Sequence, residues 1–365
     1  MLTPADDYPL HQTPEPIAIV GENRNFYDRF FFNGYNAEGS IFFAAALGVY
    51  PHLNVMDASF CLSINGKQYN LRASKEMYND RLDLKVGPVC VEIMKPLEKT
   101  CLIIKENEYG ISGTLYAKSR HKAFAEPRFT HKQNSEIFID CTRATQNITW
   151  TGDIKFQNKL IKIDGFMGTR DRSWGLRPIG KKKNQENTSN GSPQFYWLWT
   201  PMNFPQHCVF YHKNDDSDGK TWNSCAVIHD LENNIRLEEE RPKSKVQYKN
   251  TSRRVSNLNI ELKDANLEFT MGKKFYMQGL GYSHPIWGHG NHHGPMKVGF
   301  DIIDLEKAEQ DLAKGLLHNL HIQTLANITL KISKNIYYGQ GVVEQLFIGP
   351  HKPSQFKGLL DRITE

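Results

Sequence analysis

Short runs of alternating or β-branched residues recur along the whole chain, and they constrain the fold more than any other feature of the sequence. Turn signals such as Asn65-Gly66, Asp164-Gly165 and Asp218-Gly219 separate these runs. Short strands joined by tight turns are typical of an antiparallel β-sandwich or barrel. We therefore predict an all-β chain with strands at Ser40–Val49, Ala58–Ile64, Asp83–Ile93, Gly110–Ala117, Asn147–Phe156, Phe195–Asn203, Cys208–His212, Ser224–His229, Leu258–Leu262, Leu267–Met271 and Ile322–Lys331.

Two segments depart from this strand pattern. Leu305–Leu320 places apolar residues near one helical face, and Asp304 precedes it as a candidate N-cap, so we predict a helix. A long connector between strands is the alternative for this segment. Residues 181–193 contain mainly Lys, Asn, Ser and Gly, and they predict an exposed loop because they cannot bury apolar area.

The chain length of 365 residues allows two domains or one large β domain. Two stretches, Tyr27–Gly48 and Arg170–Pro201, each place charged residues before an aromatic strand. This pattern favours two related β lobes that meet near residues 160–190. We predict an N-terminal lobe at 25–165 and a C-terminal lobe at 166–350.

Charge and cysteine usage exclude several classes of protein. A net charge of +5 is too small an excess for a dedicated nucleic-acid binder. The six cysteines have no zinc-finger or CxxC spacing, and we expect separate, buried thiols. The N-terminal segment has no signal-peptide pattern, and no run of 18 apolar residues predicts a membrane span. We therefore expect a cytoplasmic protein and leave its oligomeric state open.

The motifs of several enzyme families do not occur in the sequence. There is no GxSxG elbow, no GxxxxGK[ST] loop and no GxGxxG that links a strand to a helix. Dinucleotide binding is therefore unsupported, and we expect no cofactor.

The first candidate site is the arginine-rich segment Gly168–Arg177. In an extended chain, Arg170, Arg172 and Trp174 face one side, while Asp171 faces the other. One interpretation is a structural corner in which Asp171 pairs with an arginine. The other makes Asp171 a proton donor or base at a cavity wall.

The second candidate site is Gly279–Gly294, which contains five glycines and four histidines together with Tyr282 and Trp287. Glycine at this density indicates a loop with unusual backbone angles. Imidazole groups on such a loop suit proton transfer or ligand contact at neutral pH. Two alternatives remain open: a polar loop held by histidine–backbone hydrogen bonds, and a metal site, although no HExxH spacing is present. The histidines are His284, His289, His292 and His293.

The third candidate is the aromatic strand Phe195–Thr200. Alternation places Trp197 and Trp199 on one face and Tyr196 and Leu198 on the other. Because both faces are apolar, packed core is one interpretation. An aromatic lining for a hydrophobic ligand is the other.

Three motifs resemble a known protein group. Arg170–Arg177 resembles the R-D-x-S-W-G-x-R signature of the hydroxyneurosporene synthase (carotenoid 1,2-hydratase) group and its AttH-like, lipocalin-like relatives. Gly281–Gly290 and Gly339–His351 resemble segments of uncharacterised bacterial members. The resemblance implies two tandem lipocalin-like β barrels. It also implies addition of water to an isolated C=C bond of an isoprenoid without a redox cofactor.

The resemblance also implies roles for individual residues. Asp171 would be the acid or its orienting group, and His284 and His289 would handle the water. Tyr282 would hydrogen-bond to either participant, and Trp174 and Trp287 would flank the cation. The remaining expected substrate-binding residues are Arg177, Trp197 and Trp199.

Three hypotheses for function follow. The leading one is a cofactor-independent hydratase, lyase or isomerase that acts on a hydrophobic isoprenoid- or steroid-like molecule by acid–base chemistry in an apolar β cavity. The first alternative is a non-catalytic lipid or terpenoid carrier. The second alternative is a metal-dependent enzyme that uses the histidine loop.

Overall fold

The computed structural model of the chain describes residues 4–9, 11, 23–78, 80–133, 136–180, 194–250, 252–313 and 319–361. The predicted loop at 181–193 lies outside these residues. The chain divides into two compact units, and the first combines Met1–Glu186 with Gly279–Ile303. The second combines Asn187–Gln278 with Asp304–Glu365. No helix in the described ranges is both long and apolar enough to cross a membrane.

Both units are built from antiparallel strands, as the sequence predicts. The strands of the described chain are β1 Phe26–Tyr35, β2 Phe42–Tyr50, β3 Val55–Ile64, β4 Lys67–Glu76, β5 Lys85–Val86, β6 Val89–Lys95, β7 Lys99–Ile104, β8 Ile111–Ser119, β9 Phe124–Ala125, β10 Phe129–Gln133, β11 Glu136–Phe156, β12 Lys159–Leu176, β13 Phe195–Asn203, β14 His207–Asp215, β15 Thr221–Asp230, β16 Ile235–Glu239, β17 Lys243–Tyr248, β18 Val255–Glu261, β19 Ala265–Tyr276, β20 Met296–Asp304, β21 Ile322–Ile332 and β22 Asn335–Ile348. Helix α1 spans Leu305–Ala313, and short 3-10 turns lie at Pro4–Asp7, Pro51–Leu53, Met277–Leu280 and Lys352–Ser354.

The first sheet is nearly closed into a barrel. Its strands follow the order β20-β4-β3-β2-β1-β12-β11-β8-β7-β6-β5, and β9 and β10 also pair with β11. The second sheet is a curled half-barrel with the order β16-β15-β14-β13-β22-β21-β19-β18-β17.

The interior of the first sheet is a packed aromatic core. Phe43 lies 5.2 Å from Trp150 and 6.0 Å from Phe60 between ring centroids, and Phe32 packs edge-on against Trp150. The Trp150 indole N–H donates a 2.8 Å hydrogen bond to the Asn33 carbonyl, so the single polar atom of this buried ring has a partner. At this level the barrel interior contains side chains of the chain itself, so it is core and not the wall of an open apolar cavity.

The second sheet has its own core on the face that carries Tyr196 and Leu198. Alternation along β13 places Trp197 and Trp199 on the opposite face, as the sequence predicts. Both tryptophans are buried.

Two turn signals are confirmed and one is wrong. Asn65 and Gly66 both have positive φ and join β3 to β4, as a two-residue hairpin requires. The Asp218-Gly219 signal also forms a turn, which lies between β14 and β15. Asp164-Gly165, in contrast, lies inside β12, where the register with β11 shifts by one residue and Gly165 has φ +65°. It is a β-bulge because the flanking segments continue to pair with the same strand.

The unit boundary differs from the predicted one in two respects. The position 165/166 falls inside β12, and the first-unit strands β1 and β11 both pair with this strand. Residues 279–303, which the sequence places in the C-terminal lobe, belong to the first unit because β20 pairs with β4. Sequence proximity alone cannot reveal such a return of the chain to an earlier sheet.

The predicted helix begins where the N-cap indicates. The Asp304 carboxylate accepts hydrogen bonds from the backbone N–H groups of Glu306 and Lys307, both at 3.1 Å. Helix α1 is described as far as Ala313, and residues 314–318 lie outside the described part. The six cysteines are buried free thiols.

The core packing makes a prediction about stability. Substitution of Phe43 by alanine should lower the free energy of unfolding by about 3–5 kcal/mol, because it leaves a cavity beside Trp150. Urea denaturation followed by tryptophan fluorescence measures this change. Leu160, which is 58% exposed, is the control, and its alanine variant should stay within about 0.5 kcal/mol of wild type. A similar, small effect at both positions would contradict the packed interior.

Candidate functional site

The Gly279–Gly294 loop lies against one face of the first sheet. Adjacent strand residues point to opposite faces, so the residues that alternate with the aromatic core form a second, polar face. From this face Arg29 donates a 3.1 Å hydrogen bond to the Leu280 carbonyl, and Arg72 Nε donates one of 2.8 Å to the Gly279 carbonyl. Both arginines are buried, and they anchor the start of the loop.

Six residues meet where the loop contacts β1, β2 and β3. We call them the loop-side cluster, and they are Arg29, Tyr50, Asp57, Arg177, Tyr282 and His289. Three of them, Arg177, Tyr282 and His289, are among the residues that the sequence predicts. The other three come from the early strands.

His289 is held by hydrogen bonds at both ring nitrogens. Its Nδ1 atom lies 2.8 Å from Arg29 and 2.9 Å from Arg177, and its Nε2 atom lies 2.9 Å from the Leu280 carbonyl and also contacts Arg29. Because guanidinium groups only donate, the ring packs against donors of both arginines, while its Nε2 also faces the Leu280 carbonyl. His289 therefore positions the two arginines and the loop, and neither nitrogen is open to a substrate.

Tyr282 is a half-buried phenol between the two arginines. Its ring stands edge-on to the His289 imidazole at 4.4 Å, and the Arg29 guanidinium lies 5.0 Å from its centroid. Burial acts to lower the pKa of Arg177, but the neighbouring Tyr27 and Tyr282 outweigh it and raise this pKa above its ordinary value. The cluster thus presents a phenol next to two permanent cations.

Asp57 is the acid of the cluster. The Tyr50 hydroxyl donates to one carboxyl oxygen at 3.1 Å, and the Gly290 backbone N–H donates to the other at 2.8 Å. Gly290 has φ +71°, and a side chain there would lie 2.8 Å from Leu53, so this contact requires glycine. Burial raises the pKa of Asp57 above its ordinary value, although Arg29 and the Gly290 N–H act in the opposite direction. The residue remains partly exposed.

A second polar group, the Asp301 cluster, is formed by Asn70, Arg72, His284 and Asp301. Asn70 donates to one oxygen of Asp301 at 2.7 Å and Arg72 to the other at 2.5 Å. His284 Nδ1 accepts the backbone N–H groups of Ile286 and Trp287, and its Nε2 lies 3.5 Å from Asp301. Burial acts to raise the pKa of Asp301, but His284 and Arg72 outweigh it and hold this pKa well below its usual range.

The four histidines of the loop do not form one ligand set. His284 points to Asp301 and His289 to the two arginines, while His292 lies 2.8 Å from Glu76 and His293 packs on Trp287. In the part of the chain that the structure describes, no three His, Cys, Asp or Glu side chains converge on a common point. The metal-dependent alternative therefore lacks a donor set in these residues.

The remaining predicted residues lie elsewhere. Asp171 faces Thr145 and Phe31 across the sheet, and its charge acts on Arg143, which is paired with Glu126. Trp174 stacks on His11 with 3.5 Å between ring centroids, on the face that carries the apolar core. The other three predicted tryptophans also lie outside the loop-side cluster. Trp287 packs over Gly299, the Trp197 indole N–H donates to the Glu344 carboxylate at 3.0 Å, and the Trp199 ring contacts Phe210.

Sequence reasoning missed Arg29, Tyr50, Asp57, Arg72 and Asp301. Each is a single polar or aromatic residue in a strand-like segment, and no local motif marks it. The one available signal was the charged pair Asp28-Arg29 before an aromatic strand, because a charge in such a run needs a buried partner.

The Asp301 cluster makes a prediction about pH. Because its folded-state pKa is lowered, Asp301 stabilises the fold above about pH 4, and this contribution is lost as the pH falls further. Asp301→Asn should therefore lower the melting temperature at pH 7, with a difference from wild type that shrinks below pH 4. Thermal unfolding at a series of pH values measures this, with the exposed Asp164→Asn as the control. A difference that does not change with pH would contradict the assignment.

The structure is similar to several solved structures. A putative AttH from Nitrosomonas europaea superposes with a TM-score of 0.55 at 11% sequence identity, over 89% of this chain and 94% of that chain. Kievitone hydratase from Nectria haematococca gives a TM-score of 0.48 at 10% identity, over 87% and 88% of the two chains. CghA bound to Sch210972 gives 0.47 at 10% identity, over 89% of each chain. The first likeness shows a shared fold.

Sequence comparison identifies the family without an activity. No protein with a curated description matches this sequence. A family model described as a family of unknown function (DUF8625) matches residues 2–357, which is nearly the whole chain. The chain therefore belongs to the DUF8625 family.

Proposed function

We propose that the chain is an enzyme that adds water to, removes water from, or isomerises a small molecule by proton transfer at the loop-side cluster. The observation that carries this proposal is the arrangement around Asp57. Asp57, a partly exposed residue whose carboxyl group is held by Tyr50 and Gly290, lies in one cluster with a half-buried phenol and two guanidinium groups. An acid, a hydrogen-bond donor and fixed positive charge are the groups that acid–base catalysis uses.

The two arginines favour one class of intermediate over another. Arg29 and Arg177 both carry permanent positive charge, so they oppose a carbocation and stabilise an oxyanion. Protonation of an isolated C=C bond, which the carotenoid hydratase resemblance implies, is thus less suited to this cluster. A substrate in which the C=C bond is conjugated to a carbonyl fits better, because its enolate oxygen would accept hydrogen bonds from Arg177 and Tyr282.

The proposed step balances without a redox cofactor. Water adds its oxygen to the β-carbon of the enone while the Asp57 carboxylate takes one of its protons. The electron pair of the C=C bond moves into the bond between the α-carbon and the carbonyl carbon, the π pair of the carbonyl moves to its oxygen, and an enolate forms. Asp57 then delivers the proton to the α-carbon, so water has been added and the carboxylate is restored. Elimination of water is the reverse, and isomerisation moves one proton between two carbons in the same way.

The raised pKa of Asp57 suits this exchange. Burial disfavours the charged carboxylate, so the group takes up a proton more readily than an exposed aspartate does. Arg29 and His289 hold the geometry, and Arg177 and Tyr282 contact the substrate. For the body of the substrate, the resemblance implies an isoprenoid- or steroid-like skeleton.

A non-catalytic carrier is the weaker alternative. A carrier of this fold needs space for its ligand inside a barrel. In the first unit that interior is packed with aromatic side chains that are completely buried, namely Phe32, Phe43, Phe60 and Trp150. The observed polar cluster lies on the other face of the same sheet.

The role of Asp57 is tested by turnover of an enone with an apolar body, for which benzalacetone is the probe. In water labelled with ¹⁸O, the wild-type chain should produce the labelled hydrate, detected by mass spectrometry. Asp57→Asn should reduce the rate by about 100-fold or more, because the proton carrier is lost. Circular dichroism shows whether the variant remains folded.

Three comparisons make the result decisive. Asp164→Asn, an exposed aspartate of the same unit, should retain the wild-type rate. Loss of turnover in Asp171→Asn with a normal rate in Asp57→Asn would instead support the acid that the sequence motif predicts. Hydration of geraniol, which has isolated C=C bonds, without turnover of the enone would overturn the enolate step.

A further inference from the structure

Arg81 is a fully buried arginine on the loop that joins β4 to β5. Its side chain is 1% exposed, and it ranks among the largest completely buried side chains of the described chain. Within the described residues, no acceptor lies within hydrogen-bond distance of Nε, Nη1 or Nη2. All five N–H donors of the guanidinium are therefore left without an acceptor there.

Such a group is costly for the folded state. Removing a guanidinium from water without a counter-charge carries a large desolvation penalty, and arginine does not escape it by losing its proton. Burial lowers the pKa of Arg81, and the charge of Asp28 opposes that effect. Buried polar groups in native proteins are almost always paired, so this position calls for an acceptor.

The strand register places Arg81 at one end of the first barrel. Asp28 pairs with Val49, Val49 with Met56, and Met56 with Lys75, which lies at the end of β4. The loop that follows inserts Met77 and Leu84 into the aromatic core. Arg81 therefore lies at the same end of the sheet as Asp28, on a loop that also contributes to the apolar core.

The carboxylates at this end are already engaged. Asp28 accepts from Arg172 at 2.6 Å and lies 3.0 Å from His11, which in turn lies 2.9 Å from Asp6. Asp7 pairs with Arg170. The Asp28 charge is thus close enough to act on Arg81, yet it is committed to another guanidinium.

We propose that Arg81 binds the carboxylate of a small organic acid whose apolar part contacts the end of the aromatic core. A carboxylate matches the fork of guanidinium donors and supplies a single negative charge. The same loop contributes Met77 and Leu84 to the apolar core, which favours an amphiphilic acid over a small inorganic ion. This site is separate from the loop-side cluster, so it stands whether or not the proposed reaction takes place there.

Thermal unfolding of the full chain tests this site, with sodium decanoate, sodium acetate and sodium phosphate as probes at constant ionic strength. Decanoate should raise the melting temperature with a saturable concentration dependence, because it binds only the folded state. Arg81→Met should remove this increase, and without ligand it should melt at or above the wild-type temperature, since an unpaired buried charge has been deleted. Arg241→Met, an exposed arginine of the second unit, should behave as wild type.

A second variant guards against a folding defect. Arg81→Lys keeps the charge and loses the fork, so it should bind decanoate roughly tenfold more weakly or worse. A much lower melting temperature for ligand-free Arg81→Met would show that Arg81 has a partner within the chain, and it would overturn the proposal. So would an equal response of Arg81→Met and wild type to decanoate. Stabilisation by phosphate alone would overturn the choice of a carboxylate.

Discussion

Two buried arginines, Arg29 and Arg72, hold a loop without regular structure against the first sheet, and the polar sites of this unit depend on that anchoring. Their guanidinium groups donate to the Leu280 and Gly279 carbonyls, so the loop begins at a defined position. Arg29 then contacts His289 and Arg72 contacts Asp301. A charge-assisted hydrogen bond in a buried site is strong and directional, and these contacts hold the start of a sixteen-residue loop that contains five glycines.

The charges of the loop-side cluster decide what chemistry it can support. The resemblance of the Arg170–Arg177 segment implies a carbocation intermediate. The folded chain instead brings together two guanidinium groups and a carboxyl group with a raised pKa. Fixed positive charge stabilises a developing oxyanion and opposes a carbocation. The histidines, which sequence patterns mark as catalytic, have both nitrogens engaged at His289 and a hydrogen-bonded Nδ1 at His284. They organise the loop, and Asp57 is therefore the group that we propose for proton transfer.

The two faces of the first sheet carry different kinds of side chain. One face packs aromatic side chains into a core and ends at a cluster of buried charges that includes Arg81. The other face carries isolated polar residues that the loop covers. Strand alternation explains both, since Arg29 and Phe30 are neighbours in sequence and yet face opposite sides. A single strand thus contributes to the stability of the core and to the candidate site.

Local patterns were enough to identify the all-β class, most strands, the helix start at Asp304 and three members of the loop-side cluster, because alternation, capping and glycine content act over a few residues. They failed at Asp164-Gly165, since this bulge has the positive φ that a tight turn would also have, and only the partner strand distinguishes the two. Asp57 and Arg29 are about 230 and 260 residues from their loop partners Gly290 and His289. Such contacts arise when β20 returns to the first sheet, and only the tertiary structure can bring these residues together.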